Sequence, residues 1–275
     1  MDLDTLPQHV DYLSSSGLLL SPEQKAALQT SLELVRKQYR LRSVYLWGKI
    51  LGLNADYLVA QGVEKDELYN RKTLYCLNYM DWKLLPPATD EMITNCSVIK
   101  GRFMGNPAYE YESGDVKKMT GGGVTKDSHS SRIKEEERLT SVIACINRDV
   151  AIIPRGAFIK TPTEDYISIN RVFKGLSHSE AGKLRSYLHF TEPKELKKKS
   201  LLERAELDMS IDFLDCVEDD ILKGSWSVQY DRGALVVIRS LLWPGYSFFH
   251  VPNTSKFGSM YMGLAEKNID FPFMV

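Results

Sequence analysis

Apolar residues recur at helical spacing between positions 21 and 40, and charged side chains fill many of the positions between them. The apolar positions are Leu28, Leu32, Val35 and Tyr39. Ser21 precedes them as an N-cap residue, with Pro22 at the first helical position and Gln24 three residues after the cap. The pattern predicts an amphipathic helix over residues 21–40, one face of which packs against the rest of the protein.

The next segment, Val44–Ala60, is rich in β-branched and aromatic residues and is interrupted by glycine and asparagine. This composition predicts a β-hairpin, and residues 73–78 predict a further strand. Pro86–Pro87 cannot continue a sheet ladder, and Thr89 then predicts the N-cap of a short helix. The buried stripe of that helix is expected at Met92, Cys96 and Ile99.

The middle of the chain predicts a loop followed by a helix. Ser113–Arg132 contains three consecutive glycines and almost no large apolar residue. Such a segment cannot offset its own ordering entropy, so we expect a mobile loop. The helix that follows has one apolar side, and a short strand is expected at Val150–Ile153. The apolar side consists of Leu139, Val142, Ile143 and Ile146.

The last third of the chain alternates short apolar segments with turn residues. Trp226, Val228 and Tyr230 alternate with polar residues, and turn-forming residues separate the apolar runs that follow. The pattern predicts an antiparallel meander over residues 223–263. Together the elements indicate an α+β fold, a mostly antiparallel sheet with packed helices, in a single compact domain (residues 1–275) with one mobile loop.

Composition and charge narrow the functional classes. The 275 residues carry a formal net charge of -1, so the chain lacks the positive charge that nucleic acid binding needs. The longest uncharged run, Ser240–Ser255, is shorter than the roughly 20 residues of a bilayer span. The first residues are acidic rather than basic, unlike a secretory signal. We therefore expect a cytosolic protein with reduced cysteines and with no nucleic acid or membrane partner.

The familiar catalytic and metal-binding motifs are missing from the sequence. It contains no P-loop, no Gly-x-Ser-x-Gly elbow and no HExxH. Gly121–Gly123 lacks the flanking strand and helix that would aim its amides at a phosphate. Glu218–Asp220 predicts a solvated acidic turn, and Lys197–Lys199, flanked by glutamates, predicts an exposed helix face. We predict no catalytic, cofactor-binding or metal-binding residue.

The histidines do not form a site in the sequence pattern. A second capping box, Ser177–Glu180, predicts a helix that continues through Leu188. On that helix His178 and His189 would lie roughly 16 Å apart at 1.5 Å per residue, too far to share a metal. His250 lies in an apolar strand, where a packed, hydrogen-bonded histidine is expected rather than a metal ligand.

Aromatic residues are concentrated in the two predicted β regions. They are Tyr45, Trp47, Tyr57, Trp226, Trp243, Phe248, Phe249 and Tyr261. Core packing accounts for most of them, and Trp47, Tyr57, Trp226 and Trp243 are expected to anchor the sheet core. A surplus on an exposed sheet face would suit a permanent protein interface.

Seven segments, in order along nearly the whole chain, resemble the radial spoke head family, in particular its protein 9 branch. They are WGKILGLNADYLVAQG (47–62), LLPPAT (84–89), IKGRFMGNPAYEYE (99–112), AIIPRGAF (151–158), SYLHFTEP (186–193), KGSWSVQ (223–229) and ALVVIRSLLWPGYSFFHVP (234–252). Trp47–Lys49 with Asp56–Tyr57, and Arg239–Gly245, are also similar to segments of the larger radial spoke head proteins 4 and 6.

The resemblance implies a non-enzymatic structural subunit of the radial spoke head, in the axoneme of motile cilia and flagella. It implies assembly with proteins 4 and 6 and other head subunits. The assembled head would contact the central pair projections and regulate dynein-driven motility. The residues themselves leave two alternatives open: a cytosolic enzyme whose site forms only in three dimensions, and a module that binds a small ligand or a peptide.

Overall fold

The computed structural model describes residues 1–14, 17, 19–112, 132–161, 166–231 and 233–273. In these residues the helices are α1 (Leu6–Tyr12), α2 (Pro22–Gln38), α3 (Asp90–Cys96), α4 (Glu135–Val150), α5 (His178–Ala181), α6 (Glu195–Lys198) and α7 (Leu201–Ala205). The strands are β1 (Ser43–Ile50), β2 (Tyr57–Val63), β3 (Lys72–Cys76), β4 (Lys83–Leu84), β5 (Glu110–Glu112), β6 (Arg132–Lys134), β7 (Ile152–Pro154), β8 (Phe158–Lys160), β9 (Ile167–Ile169), β10 (Tyr187–His189), β11 (Trp226–Asp231), β12 (Leu235–Ser240), β13 (Tyr246–His250) and β14 (Phe257–Gly263). The predicted loop Ser113–Arg132 lies outside the described residues except for Arg132, the first residue of β6.

Helix α2 begins where the capping box predicts. The Ser21 hydroxyl accepts a hydrogen bond from the Gln24 amide at 3.2 Å, and the Gln24 side chain accepts one from the Ser21 amide at 3.1 Å. The predicted apolar residues Leu28, Leu32 and Val35 are buried, whereas Tyr39 is half-buried at the C-cap. The local pattern therefore determines both the start of the helix and the face that it buries.

An eight-stranded sheet forms the centre of the α+β fold, with strand order β11-β12-β13-β14-β1-β2-β3-β4. The predicted hairpin is β1–β2, the predicted meander is β11 to β14, and these pairs are antiparallel. The two regions meet where β1 pairs with β14 in parallel. Residues near the two ends of the sequence therefore share one sheet, as local patterns could not show.

Gly48 makes this parallel junction possible. Its φ is +147°, and a Cβ atom there would lie 2.0 Å from the carbonyl oxygen of Tyr261 on β14. The register of β1 against β2 also shifts between Leu46 and Gly48. Because only glycine allows such a close approach of two backbones, the residue type at this position is set by the sheet.

Apolar side chains cover both faces of the sheet. On one face α1 and α2 pack against strand residues such as Leu46 and Phe249. On the other face α4 contributes Leu139, Ile143 and Ile146 to a second cluster. A third, smaller cluster lies around β7, β8 and β10. The sheet is therefore the middle layer between two sets of helices, as expected for burying a two-sided apolar sheet.

The helix predicted from Ser177 through Leu188 is wrong beyond its first turn. Helix α5 ends at Ala181, and Tyr187–His189 forms β10, which pairs antiparallel with β7. Gly182 follows the short helix and weakens any continuation of it, while pairing with β7 satisfies the backbone of β10. Leu188 is buried in the strand instead of on a helix face.

Two smaller expectations also need correction. Of the predicted stripe on α3 only Cys96 is buried, whereas Met92 and Ile99 are partly buried. The strand predicted at Val150–Ile153 lies at Ile152–Pro154, because α4 continues through Val150.

Candidate functional site

His189 and Asp220 form the first arrangement that resembles catalytic chemistry. The Nε2 atom of His189 lies 2.8 Å from Oδ1 of Asp220, and the indole N–H of Trp226 donates to Oδ2 of Asp220 at 2.9 Å. Asp220 is half-buried, so the prediction of a solvated turn holds for Glu218 and Asp219 and is wrong for Asp220. Both carboxylate oxygens have partners, and the group links β10 to β11.

His178 lies apart from this pair, with its Nδ1 atom 2.9 Å from the Tyr230 hydroxyl. The sequence separated the two histidines along one helix, whereas the structure places His178 on α5 and His189 on β10. His178 contacts Tyr230 on β11, and His189 contacts Asp220, which precedes β11. The predicted placement of both histidines on one helix is therefore wrong.

His250 is fully buried and hydrogen-bonded at both ring nitrogens, as the sequence predicts. The Leu176 amide donates to Nε2 at 3.1 Å, and Nδ1 lies 3.1 Å from the Lys256 carbonyl. Nδ1 therefore carries the proton and Nε2 accepts. Burial lowers the pKa of His250 to about 4. The ring is a neutral tie between β13 and two loops.

Glu135 is a buried acid that sequence reasoning missed. It is the first residue of α4, and its carboxylate accepts the amides of Met104, Gly105 and Asn106 at 2.8, 2.7 and 3.0 Å. The hydroxyls of two tyrosines, one on β2 and one on β5, also donate to it. These tyrosines are Tyr57, at 2.7 Å, and Tyr111.

The carboxylate of Glu135 is held in its charged form. Burial by itself favours the neutral acid, but hydrogen bonds from Tyr111, Tyr57 and the backbone outweigh it and lower the pKa of Glu135. Its position at a helix N-terminus favours negative charge as well. A general acid needs a raised pKa. Glu135 is therefore suited to fixing a loop rather than to giving up a proton.

Arg138, one turn further along α4, completes this buried cluster. Its guanidinium donates to the Tyr111 hydroxyl at 2.8 Å and lies 4.2 Å from the ring centroid of Phe103. A second bond reaches the Gly101 carbonyl. Thus Glu135 and Arg138 together hold residues 101–111, which lie in the IKGRFMGNPAYEYE segment, against the sheet. The acidic first turn of α4 is visible in the sequence, but the partners of Glu135 are remote from it in the sequence, so their contact with it could not be predicted.

Glu67 is the second buried acid, with 0% exposure. The Tyr45 hydroxyl donates to it at 3.2 Å, and burial raises its pKa. A raised carboxyl pKa is a feature of acid catalysts. Glu67 does not line the nearest depression, however, which is bounded by neighbours including Glu64, Asp66 and Tyr166.

Two surface depressions of about 400 and 350 Å³ lie on this part of the molecule. The larger has an apolar floor that includes Leu196 and Phe213, and a rim with Lys160, Lys197 and Arg204. Among the described residues, neither depression combines a nucleophile with a histidine base. Lys197 itself is exposed and pairs with Glu192 at 2.5 Å, in agreement with the predicted solvated face.

No group of three His, Cys, Asp or Glu side chains within the described ranges could hold a metal ion. No described helix combines the length and the apolar character required to cross a bilayer. All four cysteines, which are Cys76, Cys96, Cys145 and Cys216, are free thiols.

The predicted aromatic anchors are largely in the core. Tyr57, Trp226 and Trp243 are buried, whereas Trp47 is half-buried and donates its indole N–H to Asn147 at 2.7 Å. Strand β2 is buried throughout. Most of these aromatic side chains therefore pack in the core. Exposed large apolar residues of the described sheet lie on its two edge strands: Val228 and Tyr230 on β11, and Leu84 on β4.

The amino-acid sequence of this chain is similar to those of known proteins. A family model described as "Radial spokehead-like protein" matches residues 1–75. A radial spoke head protein 9 homolog of Bos taurus is 57% identical over 277 aligned positions, covering 100% of both chains. The homologs of Homo sapiens and Danio rerio are 56% and 50% identical with the same coverage. Since such identity extends over the whole of both chains, this chain belongs to the radial spoke head protein 9 family.

Proposed function

We propose that this chain acts without catalysis, as a structural subunit of the radial spoke head in the axoneme of motile cilia and flagella. Full-length identity of 57% to a radial spoke head protein 9 homolog carries the proposal. The buried polar groups agree with it, because Glu135, Asp220 and His250 each have their polar atoms occupied by links between distant segments. Polar groups that are held in this way stabilise the shape of the fold.

The proposed partners are radial spoke head proteins 4 and 6, with other head subunits. The segments that resemble proteins 4 and 6 belong to the same sheet, in which β13 and β14 separate β12 from β1. They are β1 with the start of β2, and the end of β12 with the turn before β13. Proteins that share a fold can pair through equivalent surfaces about a pseudo-two-fold axis. We propose an obligate-type interface of more than about 2,000 Å² with one of these relatives.

We further propose that residues 1–275 form one domain and that the assembled head contacts the central pair projections. The parallel pairing of β1 with β14 supports a single domain, because it joins the beginning and the end of the described chain in one sheet. Contact with the central pair would transmit force to a rigid subunit, and a sheet covered on both faces is suited to that role.

Co-expression with the protein 4 and 6 relatives of the same organism tests the proposal. We expect a complex that co-purifies through size exclusion and is more soluble than this chain alone. Cross-linking followed by mass spectrometry should then connect lysines of the two proteins. A matched control is co-expression with an unrelated β-rich protein, which should not co-purify. If this chain stays a stable monomer and binds neither relative at micromolar concentration, the assembly proposal is wrong.

A further inference from the structure

The two edges of the eight-stranded sheet differ in whether another strand can join them. The edge strand β4 has two residues, Lys83–Leu84, and Pro86–Pro87 follows shortly after it. Short strands and prolines block edge-to-edge pairing. The opposite edge strand, β11, has six residues and contains no proline or lysine. From Val228 to Asp231 its residues are exposed.

The ladder between β11 and β12 shows which backbone groups point outward. The Leu241 amide donates to the Ser225 carbonyl at 2.9 Å, so that pair is hydrogen-bonded. Hydrogen-bonded pairs recur at every second residue of an antiparallel ladder. Ser227, Gln229 and Asp231 therefore bond to β12, and the intervening residues point their N–H and C=O groups away from it. These are Trp226, Val228 and Tyr230, whose backbone groups bond to nothing in the described part of the chain.

We propose that β11 is a homodimerisation strand, which pairs antiparallel with β11 of a second copy about a two-fold axis at Val228. In this register Val228 faces Val228 of the second copy, and Trp226 faces Tyr230. Each of these pairs can exchange both N–H···O bonds, so every outward backbone group of the three residues gains a partner. The two eight-stranded sheets then become one continuous sheet.

Side chains on both faces are compatible with this register. On one face Val228, 37% exposed, would pack against Val228 of the second copy. Tyr230, 40% exposed, would lie opposite Trp226, which is itself only 8% exposed because its ring packs in its own core. Aromatic and β-branched cross-strand pairs are favourable. On the other face Ser227 lies opposite Gln229, and Asp231 lies opposite Ser225. No like charges oppose each other, so the pattern is self-complementary.

A second copy is the occupant that these observations favour, because the same segment, Ser225–Asp231, supplies both halves of the match. The two-fold symmetry also limits the assembly to a dimer. The open edge of each copy is paired in the dimer, and the β4 edges remain blocked. The contact is small beside an obligate interface, so we expect a dimer that dissociates at low micromolar concentration. The inference is independent of binding to proteins 4 and 6.

Sedimentation velocity of the full chain, at about 1 to 100 µM, tests the proposal. The wild-type protein should shift from monomer to dimer as its concentration rises. Val228→Lys places two like charges across the axis, and Val228→Pro removes an outward N–H that β12 does not use. Both variants should remain monomeric at 100 µM, with circular dichroism spectra like that of the wild type. Val228→Thr, the matched control, should dimerise within about threefold of the wild-type constant.

Amide hydrogen exchange gives a second readout that does not depend on the variants. Exchange at Trp226, Val228 and Tyr230 should slow at least tenfold between the low and high concentrations. Exchange at Ser227 and Gln229, which bond to β12 in either state, should not change with concentration. A wild-type monomer at 100 µM would overturn the proposal. A dimer that persists in both disruptive variants, or concentration-independent exchange at Val228, would overturn it as well.

Discussion

Replacing Glu135 by Gln tests whether this buried carboxylate is a structural tie. The substitution keeps the size of the side chain, but it removes the charge and converts one accepting oxygen into an NH₂ donor. Oε1 accepts Tyr57, Gly105 and Asn106, while Oε2 accepts Met104 and a second tyrosine. Whichever oxygen is replaced, the new NH₂ group faces at least one amide N–H, so a donor is left without an acceptor.

The expected loss of stability can be worked out from the hydrogen bonds that Glu135 accepts. A hydrogen bond to a charged group contributes about 1.5–3 kcal/mol, and a buried donor left unpaired costs about 1–3 kcal/mol. Because Glu135 has 0% exposure, water cannot replace the lost acceptor. We expect Glu135→Gln to lower the free energy of unfolding by about 2–4 kcal/mol. For a chain of this size the melting temperature should fall by roughly 3–8 °C.

Glu137→Gln is the matched control, because it removes the same charge from the same turn of α4. Its side chain is half-buried, and within the described residues its carboxylate accepts a long bond of 3.4 Å from the Lys134 amide, which Gln can also accept. The control should change the free energy of unfolding by less than about 0.5 kcal/mol. Urea unfolding, followed by tryptophan fluorescence and circular dichroism, measures both variants. Equal midpoints for the two variants would refute the role assigned to Glu135.

The difference in unfolding free energy between the wild type and Glu135→Gln should also depend on pH. A carboxyl group whose pKa is lower in the folded state stabilises the fold above its unfolded pKa, here 4.5. That stability is lost as the pH falls through the folded pKa. The difference between wild type and Glu135→Gln should therefore be largest near neutral pH and should shrink below about pH 4.5. A difference that grows on acidification would contradict the lowered pKa.

Three further predictions follow from the core. Trp243→Ala should cost about 3–5 kcal/mol in urea unfolding, because the ring is buried, and an unchanged midpoint would remove it from the core. Burial lowers the pKa of His250 to about 4 from 6.5, so its contribution to stability is full above pH 6.5 and falls by on the order of 3 kcal/mol towards pH 4. His250→Gln should flatten that slope, and equal slopes in both proteins would contradict the prediction. Gly105→Ala should cost more than Gly101→Ala, since a Cβ at Gly105 would lie 2.4 Å from the Ala55 carbonyl oxygen and one at Gly101 meets nothing within 4 Å; equal melting temperatures would show that the contact relaxes.

Local patterns determine those parts of the fold whose energetics are local. The capping box at Ser21 starts α2, because its bonds lie within one helical turn. The hairpin β1–β2 and the meander β11 to β14 are also evident in the sequence, since alternation and turn residues specify pairing between neighbouring strands. Family membership could also be inferred from the sequence, because short segments such as Trp47–Gly62 occur in a fixed order along it.

Tertiary structure decides the remainder. Leu184 and Leu188 have helical spacing, yet pairing with β7 turns Tyr187–His189 into a strand, because a short helix after Gly182 has little stability of its own. The parallel β1–β14 pair and the ligands of Glu135 join residues tens to hundreds of positions apart, and their cost is loop closure, which no local window records. The open edge of β11 likewise exists only once the strand order is fixed, since being an edge is a property of the assembled sheet.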